Sequence, residues 1–241
     1  MLLRNYKDDK ERLEKRGNST FISDFILGSQ DGLVNVLGII LGLSAATSDI
    51  KLILIAGLAA LGAESISMGA VAYTSTVARQ KQYSKVVEKE KAEIRNLPNR
   101  SKGYIREILA KWGYKGRQLE QLVKLIASNP KAALEFMLSF ENKVAPIDKS
   151  APLRSFLVVI TATVFGSVIP LIPFLILPHN IPMAAVFAVV ISGITLFGIG
   201  YYEAKATVGS LWRSGLQLLI IGLAAGFAGY LIGHFVGAIP I

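Results

Sequence analysis

Two acidic side chains lie within long apolar stretches of the sequence, Asp31 in the first stretch and Glu64 in the second. An ionisable group is costly in hydrocarbon and usually marks an ion or proton path. If both stretches are membrane helices, a rise of about 1.5 Å per residue puts the two carboxylates roughly 12–13 Å below the same membrane surface. Asn35 follows Asp31 by four residues, and Met68 stands four residues after the glutamate, so each helix turns a second donor to the same face. The sequence therefore predicts one polar cage shared by two helices.

The donors of this cage are typical of a site for a divalent transition metal. Carboxylate oxygens bind any divalent cation, whereas a thioether favours later transition metals over Mg²⁺ or Ca²⁺. The set suits Fe²⁺, and Mn²⁺ less strictly, as a transported substrate, with no organic cofactor. Because two neighbouring carboxylates repel each other when both are charged, the empty site is expected to hold a proton that an incoming metal ion displaces. Such competition is the minimum needed for proton antiport.

Other interpretations of single residues stay open. Asp24 lies seven residues before Asp31 on the same helix face, and it could attract cations at the cytosolic mouth or anchor the helix at the membrane interface. Asn35 could bind metal or form an interhelical hydrogen bond, and Met68 could serve packing alone. For the whole protein, a passive divalent-cation channel and a membrane protein that uses the acidic pair structurally remain alternatives. An enzyme is not expected, because the apolar stretches hold no cysteine and no histidine cluster.

The composition and the hydropathy pattern predict a membrane protein. Hydrophobic residues make up 52% of the chain, and five stretches are each long enough to span a bilayer, which takes about 20 residues. These stretches are 21–47, 52–78, 155–177, 182–202 and 214–237. We therefore expect an all-α membrane protein with five transmembrane helices and a small helical cytosolic domain between the second and third spans.

Lysine and arginine are distributed unevenly along the chain. Residues 1–20 hold six and residues 79–152 hold sixteen, whereas the connections expected on the opposite side hold only Lys51. This bias predicts a cytosolic N-terminus. The expected organisation is a cytosolic amphipathic segment at 1–20, transmembrane helices at 21–78, the cytosolic domain at 79–152 and three further transmembrane helices at 153–241. The basic segments lack nucleic-acid-binding motifs, so membrane lipid rather than nucleic acid is the expected partner.

Shorter patterns predict local structure. Pro98 ends the continuation of the second span into water, and apolar stripes then predict three short amphipathic helices near 105–112, 119–126 and 133–140. Glycines in the first, second and fifth spans predict close contacts between helices, with the fifth span buried against protein.

Five short motifs in order resemble the vacuolar iron transporter family. They are residues 24–33 (DFILGSQDGL), 42–44 (GLS), 63–69 (AESISMG), 130–141 (PKAALEFMLSFE) and 166–178 (GSVIPLIPFLILP). The resemblance implies a homodimer with five spans per chain, and a first span at the dimer interface. It also implies export of Fe²⁺, often Mn²⁺ too, from the cytosol in exchange for protons. The short chain is similar to archaeal and nodulin-like members, which favours the cell membrane of a prokaryote, or a vacuolar membrane if the host is a eukaryote.

The resemblance also implies roles for particular residues. Asp31 and Met68 match the carboxylate and the methionine of the family's transport site, whereas a second-span glutamate of many members falls on Ala60, with Glu64 one turn nearer the cytosol. The metal ligands of the family's cytosolic domain fall on Glu90, Glu93, Met137 and Glu141, and three further ligand positions hold Ser101, Tyr104 and Leu138. Sixteen basic residues lie in this domain, so ordinary solvated salt bridges are the alternative for its glutamates.

Overall fold

The computed structural model describes residues 2–142, 144–206 and 209–239, with side chains described from residue 20 onward. The described residues are helical almost throughout. The helices are α1 (Leu2–Ala46), α2 (Ile50–Asn96), α3 (Pro98–Lys111), α4 (Gly116–Ala127), α5 (Pro130–Phe136) with a π-helical turn at Met137–Glu141, α6 (Ala151–Ile176), α7 (Ile181–Ala206) and α8 (Leu211–Gly237). The chain divides into a membrane unit, Met1–Tyr73 with Pro152–Ile241, and an insert, Thr74–Ala151.

Five of these helices are long and apolar enough to cross a membrane: α1 from Thr20 to Ala46, and the whole of α2, α6, α7 and α8. The five predicted spans are thereby confirmed, and the protein is a multi-pass integral membrane protein. The second span continues without a break to Asn96, just before Pro98, as the sequence predicted. Residues 2–20 are helical as part of α1, but the predicted amphipathic character of residues 1–20 lies outside the described side chains.

The centre of the membrane unit is an apolar cluster to which four helices contribute. Its fully buried members include Ile40 of α1, Ile53 of α2, Phe174 of α6 and Ala188 of α7. Because lipid chains are as apolar as these side chains, close packing rather than exclusion of water stabilises their association. Ala60 packs against the edge of this cluster, so the position of the family's second-span glutamate is part of the apolar core.

Helix α1 lies against α6 at very short distance in the region that includes Asp31. A Cβ atom on Gly166 would lie 2.0 Å from the backbone oxygen of Ser29, and one on Gly32 would lie 2.4 Å from the backbone oxygen of Thr163. Only glycine fits such contacts between helix backbones. The two helices are therefore held in a fixed register around the first acidic residue.

Helix α8 packs its glycine face against α1, as the glycine spacing predicted. A Cβ atom on Gly233 would lie 1.8 Å from the backbone oxygen of Gly42, and one on Gly229 would lie 2.2 Å from that of Gly38. A second contact is with α7, where a Cβ atom on Gly222 would lie 2.1 Å from Leu196. The prediction that α8 is buried against protein holds for these two contacts, but only 22% of its apolar window is buried. Gly62 of α2 does not make the close helix contact that was predicted, since apart from its own helix backbone no described atom lies within 4 Å of a Cβ placed there.

The insert has its own small apolar core, to which α3, α4 and α5 contribute, and the three predicted amphipathic helices are confirmed. Ile105, Val123 and Phe136 are among its buried residues. Asn129 caps α5 by accepting hydrogen bonds from the backbone N–H groups of Lys131 and Ala132 at 3.0 and 3.2 Å. This core fixes the end of α5 and hence the π-helical turn that follows it.

Replacement of Gly233 by alanine is expected to destabilise the protein, because the new methyl group would overlap the backbone of α1. Overpacking of this kind costs about 1–3 kcal/mol, which corresponds to a fall in Tm of about 2–10 °C, measured by thermal unfolding in detergent. Gly62→Ala is the matched control. Its methyl group meets open space and should leave Tm unchanged or slightly raised. Equal Tm values for the two variants would contradict the close contact between α1 and α8.

Candidate metal sites

Polar side chains of α1 and α2 meet inside the membrane unit. The Asn35 amide donates a hydrogen bond from Nδ2 to Oε1 of Glu64. The carboxyl group of Asp31 lies close enough to that of Glu64 for their charges to interact. The structure thus brings together three of the residues predicted for the cage.

The second oxygen of Glu64, Oε2, points into the protein and has no hydrogen-bond partner among the described residues. A buried carboxylate oxygen without a donor costs free energy, about 1–3 kcal/mol or more for a charged group. A cation or a bound water molecule would remove that cost. The orphaned oxygen therefore fits an ion site better than a purely structural hydrogen bond.

The other residues predicted for this site lie nearby along the same helices. Met68 is partly buried one turn beyond Glu64, and Asp24 is partly buried two turns before Asp31. No three acidic or histidine side chains within the described ranges converge at metal-binding distances. Metal binding in the membrane unit would therefore need neutral donors beside the carboxylate pair, and Asn35 and Met68 are the donors at hand.

An open groove of about 460 Å³ runs along the surface between α1 and α8 and reaches this site. Asn35 is its polar lining residue, next to Gly38 and Gly42 of α1 and opposite Gly229 and Gly233 of α8. The exposed amide of Asn35 thus stands between the groove and the carboxyl group of Glu64.

Three glutamates cluster in the insert. Glu90 is 1% exposed, and its Oε2 atom lacks a hydrogen-bond partner in the part of the chain that the structure describes; the same is true of Oε2 of Glu141. Burial raises the pKa of Glu141, as do the negative charges of Glu90 and Glu93. The structure therefore places these three predicted residues within range of one another's charges, although they do not converge at metal-binding distances. The buried carboxyl group of Glu90 is not the solvated salt bridge of the alternative interpretation.

Glu93 and the other positions that match family metal ligands have surroundings different from those of Glu90 and Glu141. Glu93 lies 3.7 Å from Lys89 and 3.7 Å from Arg100, so salt bridges do describe this residue. The guanidinium group of Arg100 also stacks over the ring of Tyr104, 5.7 Å from its centroid. Met137 is fully buried in the apolar core of the insert, with Leu138 buried beside it, and Ser101 is buried with an unpartnered hydroxyl.

Sequence reasoning missed three polar groups at these sites. Arg100 forms a salt bridge with Glu93 in the insert. In the membrane unit, the buried hydroxyls of Ser65 and Ser167 have no partner among the residues that the structure describes. The signal for Ser167 was its spacing of one turn from Thr163, opposite the glycines of α1. Arg100 carries no such signal, because one basic residue among sixteen cannot be assigned a partner from spacing.

Replacement of Glu141 by glutamine should reduce the pH dependence of the insert's stability. Since the folded state raises the pKa of Glu141 above 4.5, the folded protein binds the proton more tightly than the unfolded chain. Stability is then present at low pH and lost as pH rises from about 4.5 through the raised pKa. Hydrogen exchange of residues 90–141 measured from pH 4 to 8 should show a smaller loss of protection in Glu141→Gln than in wild type. Glu107→Gln, which removes an exposed partner of Lys111, should behave as wild type.

The comparisons with known proteins identify the family of the chain. The model of the VIT family matches residues 22–234. The chain is 32% identical to vacuolar iron transporter 1 of Arabidopsis thaliana, over 89% of this chain and 86% of the relative. It is 30% identical to vacuolar iron transporter 1 of Tulipa gesneriana, over 95% and 93%, and 31% identical to vacuolar iron transporter 2 of Oryza sativa subsp. japonica, over 87% and 85%. The chain therefore belongs to the VIT family, whose members are transporters rather than enzymes.

Proposed function

We propose that the protein is a secondary transporter that moves Fe²⁺, and Mn²⁺ less selectively, out of the cytosol in exchange for protons. The observation that carries this proposal is the junction of Asp31, Asn35 and Glu64 between two membrane helices. Relatives at about 30% identity over most of the chain are named as vacuolar iron transporters, which supports iron as the cargo. The ion and the protons are the partners of this site, and no organic cofactor is needed.

Proton coupling follows from the two carboxyl groups. Two charged carboxylates side by side repel each other, so in the empty site we expect Asp31 and Glu64 to share one proton. A divalent cation that binds both oxygens takes the place of the proton, which leaves the site. The same two groups cannot be neutralised by proton and metal at once, so the two fluxes run in opposite directions.

Metal preference follows from the neutral donors. The Met68 thioether adds affinity for Fe²⁺ over the hard ions Mg²⁺ and Ca²⁺. In this structure the amide nitrogen of Asn35 bonds to Glu64. For the amide oxygen of Asn35 to bind the metal ion, the side chain amide would have to rotate. Asp24 supplies negative charge at the cytosolic end of α1 and raises the local concentration of cations.

We further propose that the insert is cytosolic and captures the metal before transport. Its excess of lysine and arginine supports this orientation, with the N-terminus on the same side and anionic lipid as the expected contact of the basic segments. The Glu90 and Glu141 carboxyl groups are the proposed ligands of the insert, with Glu93 and the Met137 thioether completing the set. The arrangement of the family implies a homodimer with α1 at the interface, in the cell membrane of a prokaryote or the vacuolar membrane of a eukaryote.

Asp31→Asn and Glu64→Gln should each reduce metal-driven proton movement at least tenfold in proteoliposomes, since each removes a group that exchanges proton for metal. Uptake of Fe²⁺ and Mn²⁺ and the internal pH would be recorded together. Asp49→Asn is the control, because the new side chain can still cap α2 as Asp49 does through Lys51 N–H. Metal uptake without a change of internal pH in wild type would indicate a channel, and normal transport in both variants would exclude the proposed site.

Glu90→Gln should weaken metal binding by the insert about tenfold or more. To isolate this site, Mn²⁺ binding to the purified full-length protein would be measured by calorimetry in a background that carries Asp31→Asn and Glu64→Gln. Glu120→Gln, which removes an exposed partner of Arg106, is the control. If Glu90→Gln and the control bind Mn²⁺ with equal affinity, the insert does not use Glu90 as a ligand.

A further inference from the structure

Two buried hydroxyl groups lie on α2 and α6, each near in sequence or in packing to a residue next to the carboxylate pair, and have no hydrogen-bond partner among the described residues. They are Ser65 of α2, 3% exposed, and Ser167 of α6, fully buried. We propose that Ser65, Ser167 and the orphaned Oε2 atom of Glu64 bind water on the α6 side of the site, and that this water stays on the transported cation. The ion then crosses the middle of the protein partly hydrated. This inference rests on the proposed transport of a divalent metal through the site.

The packing of glycines places Ser65 at the required depth. A Cβ atom on Gly57 of α2 would meet Leu171 of α6, and one on Gly69 would meet Ile160. The two helices are therefore antiparallel, and Ser65 lies between these contacts, one turn before Gly69 on the face toward α6. Glu64 is the neighbouring residue, so its carboxyl group lies at the same level.

Ser167 of α6 lies against α1 at the residue that follows Asp31. A Cβ atom on Gly32 would lie only 2.5 Å from Oγ of Ser167. Gly32 directly follows Asp31, so the hydroxyl lies against the backbone of the residue next to the first carboxylate. The absence of a side chain at Gly32 is what leaves room for this hydroxyl.

Ser167 differs from the other hydroxyls of α6. Thr163 donates to the backbone oxygen of Val159 at 2.8 Å and Thr161 to that of Leu157 at 2.9 Å, the usual way in which such side chains are satisfied within a membrane helix. Ser167 makes no such bond in the described structure. Its hydroxyl is thus free to donate to a water molecule.

Helix α6 also offers an acceptor next to Ser167. Pro170 lies inside this helix and has no N–H group, so the backbone oxygen of Gly166 lacks its usual donor four residues on. Membrane helices tolerate proline where water or a hydroxyl satisfies the freed carbonyl. Two hydroxyls, one carboxylate oxygen and one carbonyl supply the two to four partners that a buried water needs.

The water would complete the coordination of the bound ion. Fe²⁺ and Mn²⁺ prefer about six ligands in octahedral arrangement. The proposed site has four side chains that can bind the ion: Asp31, Asn35 and Glu64, which lie together, and Met68, one turn beyond Glu64. Because all four belong to α1 and α2, the coordination positions toward α6 are left for water, and the serines hold it there.

The first test counts the water on the bound ion. Mn²⁺ bound to the full-length protein would be examined by pulsed electron paramagnetic resonance in deuterated water. Wild type should retain exchangeable water on the ion, and Ser167→Ala and Ser65→Ala should each retain less, with Mn²⁺ transport slowed at least threefold. Thr161→Val is the control, because Thr161 is exposed and satisfied within its own helix. Equal water counts in wild type and both serine variants would overturn the inference.

The second test needs no transport. The chain contains no cysteine, so Ser167→Cys introduces a unique thiol. A small water-soluble thiosulfonate reagent should modify it at least tenfold faster than Val159→Cys, whose position on α6 is equally buried but apolar. Equal rates would overturn the inference even if a serine-to-alanine variant failed to fold. If the wild-type protein neither binds nor transports Mn²⁺, the proposed function is refuted as well. If the wild-type protein transports Mn²⁺ but its ion carries as much water as in the two serine variants, only the present inference is refuted.

Discussion

The hydrogen bond between Asn35 and Glu64 is the interaction on which the membrane unit depends. In hydrocarbon no water is available to bond to a polar side chain. Such a side chain is therefore stabilised by a hydrogen bond to a neighbouring helix, and without one its burial is unfavourable. With Asp31 beside it, this bond fixes how α1 and α2 face each other. It also leaves the second oxygen of Glu64 without a hydrogen-bond partner among the described residues, and the proposed cation would bind there. The same interaction thus holds α1 against α2 and leaves an oxygen of Glu64 that can bind a cation.

Glycine makes this arrangement possible. The contacts of Gly32 and Gly166 between α1 and α6, and of Gly229 and Gly233 between α8 and α1, bring backbones to distances that no side chain would allow. Helices that approach so closely cannot slide past one another without clashes between backbone atoms. Since Gly57 and Gly69 of α2 also lie against α6, both acidic helices are packed on the same neighbour.

The sequence predicted the spans and the acidic pair, because both depend on short-range patterns. A run of apolar residues has to cross the bilayer, and a rise of about 1.5 Å per residue converts sequence position into depth, so Asp31 and Glu64 could be matched. Partners that depend on tertiary packing were not predictable in this way. The pairing of Arg100 with Glu93 and the isolation of Ser167 are examples. The exposed side of α8 was missed because glycine spacing identifies a packed face and says nothing of the opposite one.

The π-helical turn at Met137–Glu141 has an evolutionary consequence. The backbone N–H of Asn142 donates to the backbone oxygen of Met137, five residues earlier. The turn therefore contains one residue more than a turn of α-helix. Loss of a single codon there would restore regular helix and rotate everything beyond it by about 100°. Glu141 would leave its neighbours while the apolar core of the insert persisted. A lineage could thus discard or regain this carboxylate cluster by one insertion or deletion, without rebuilding the fold.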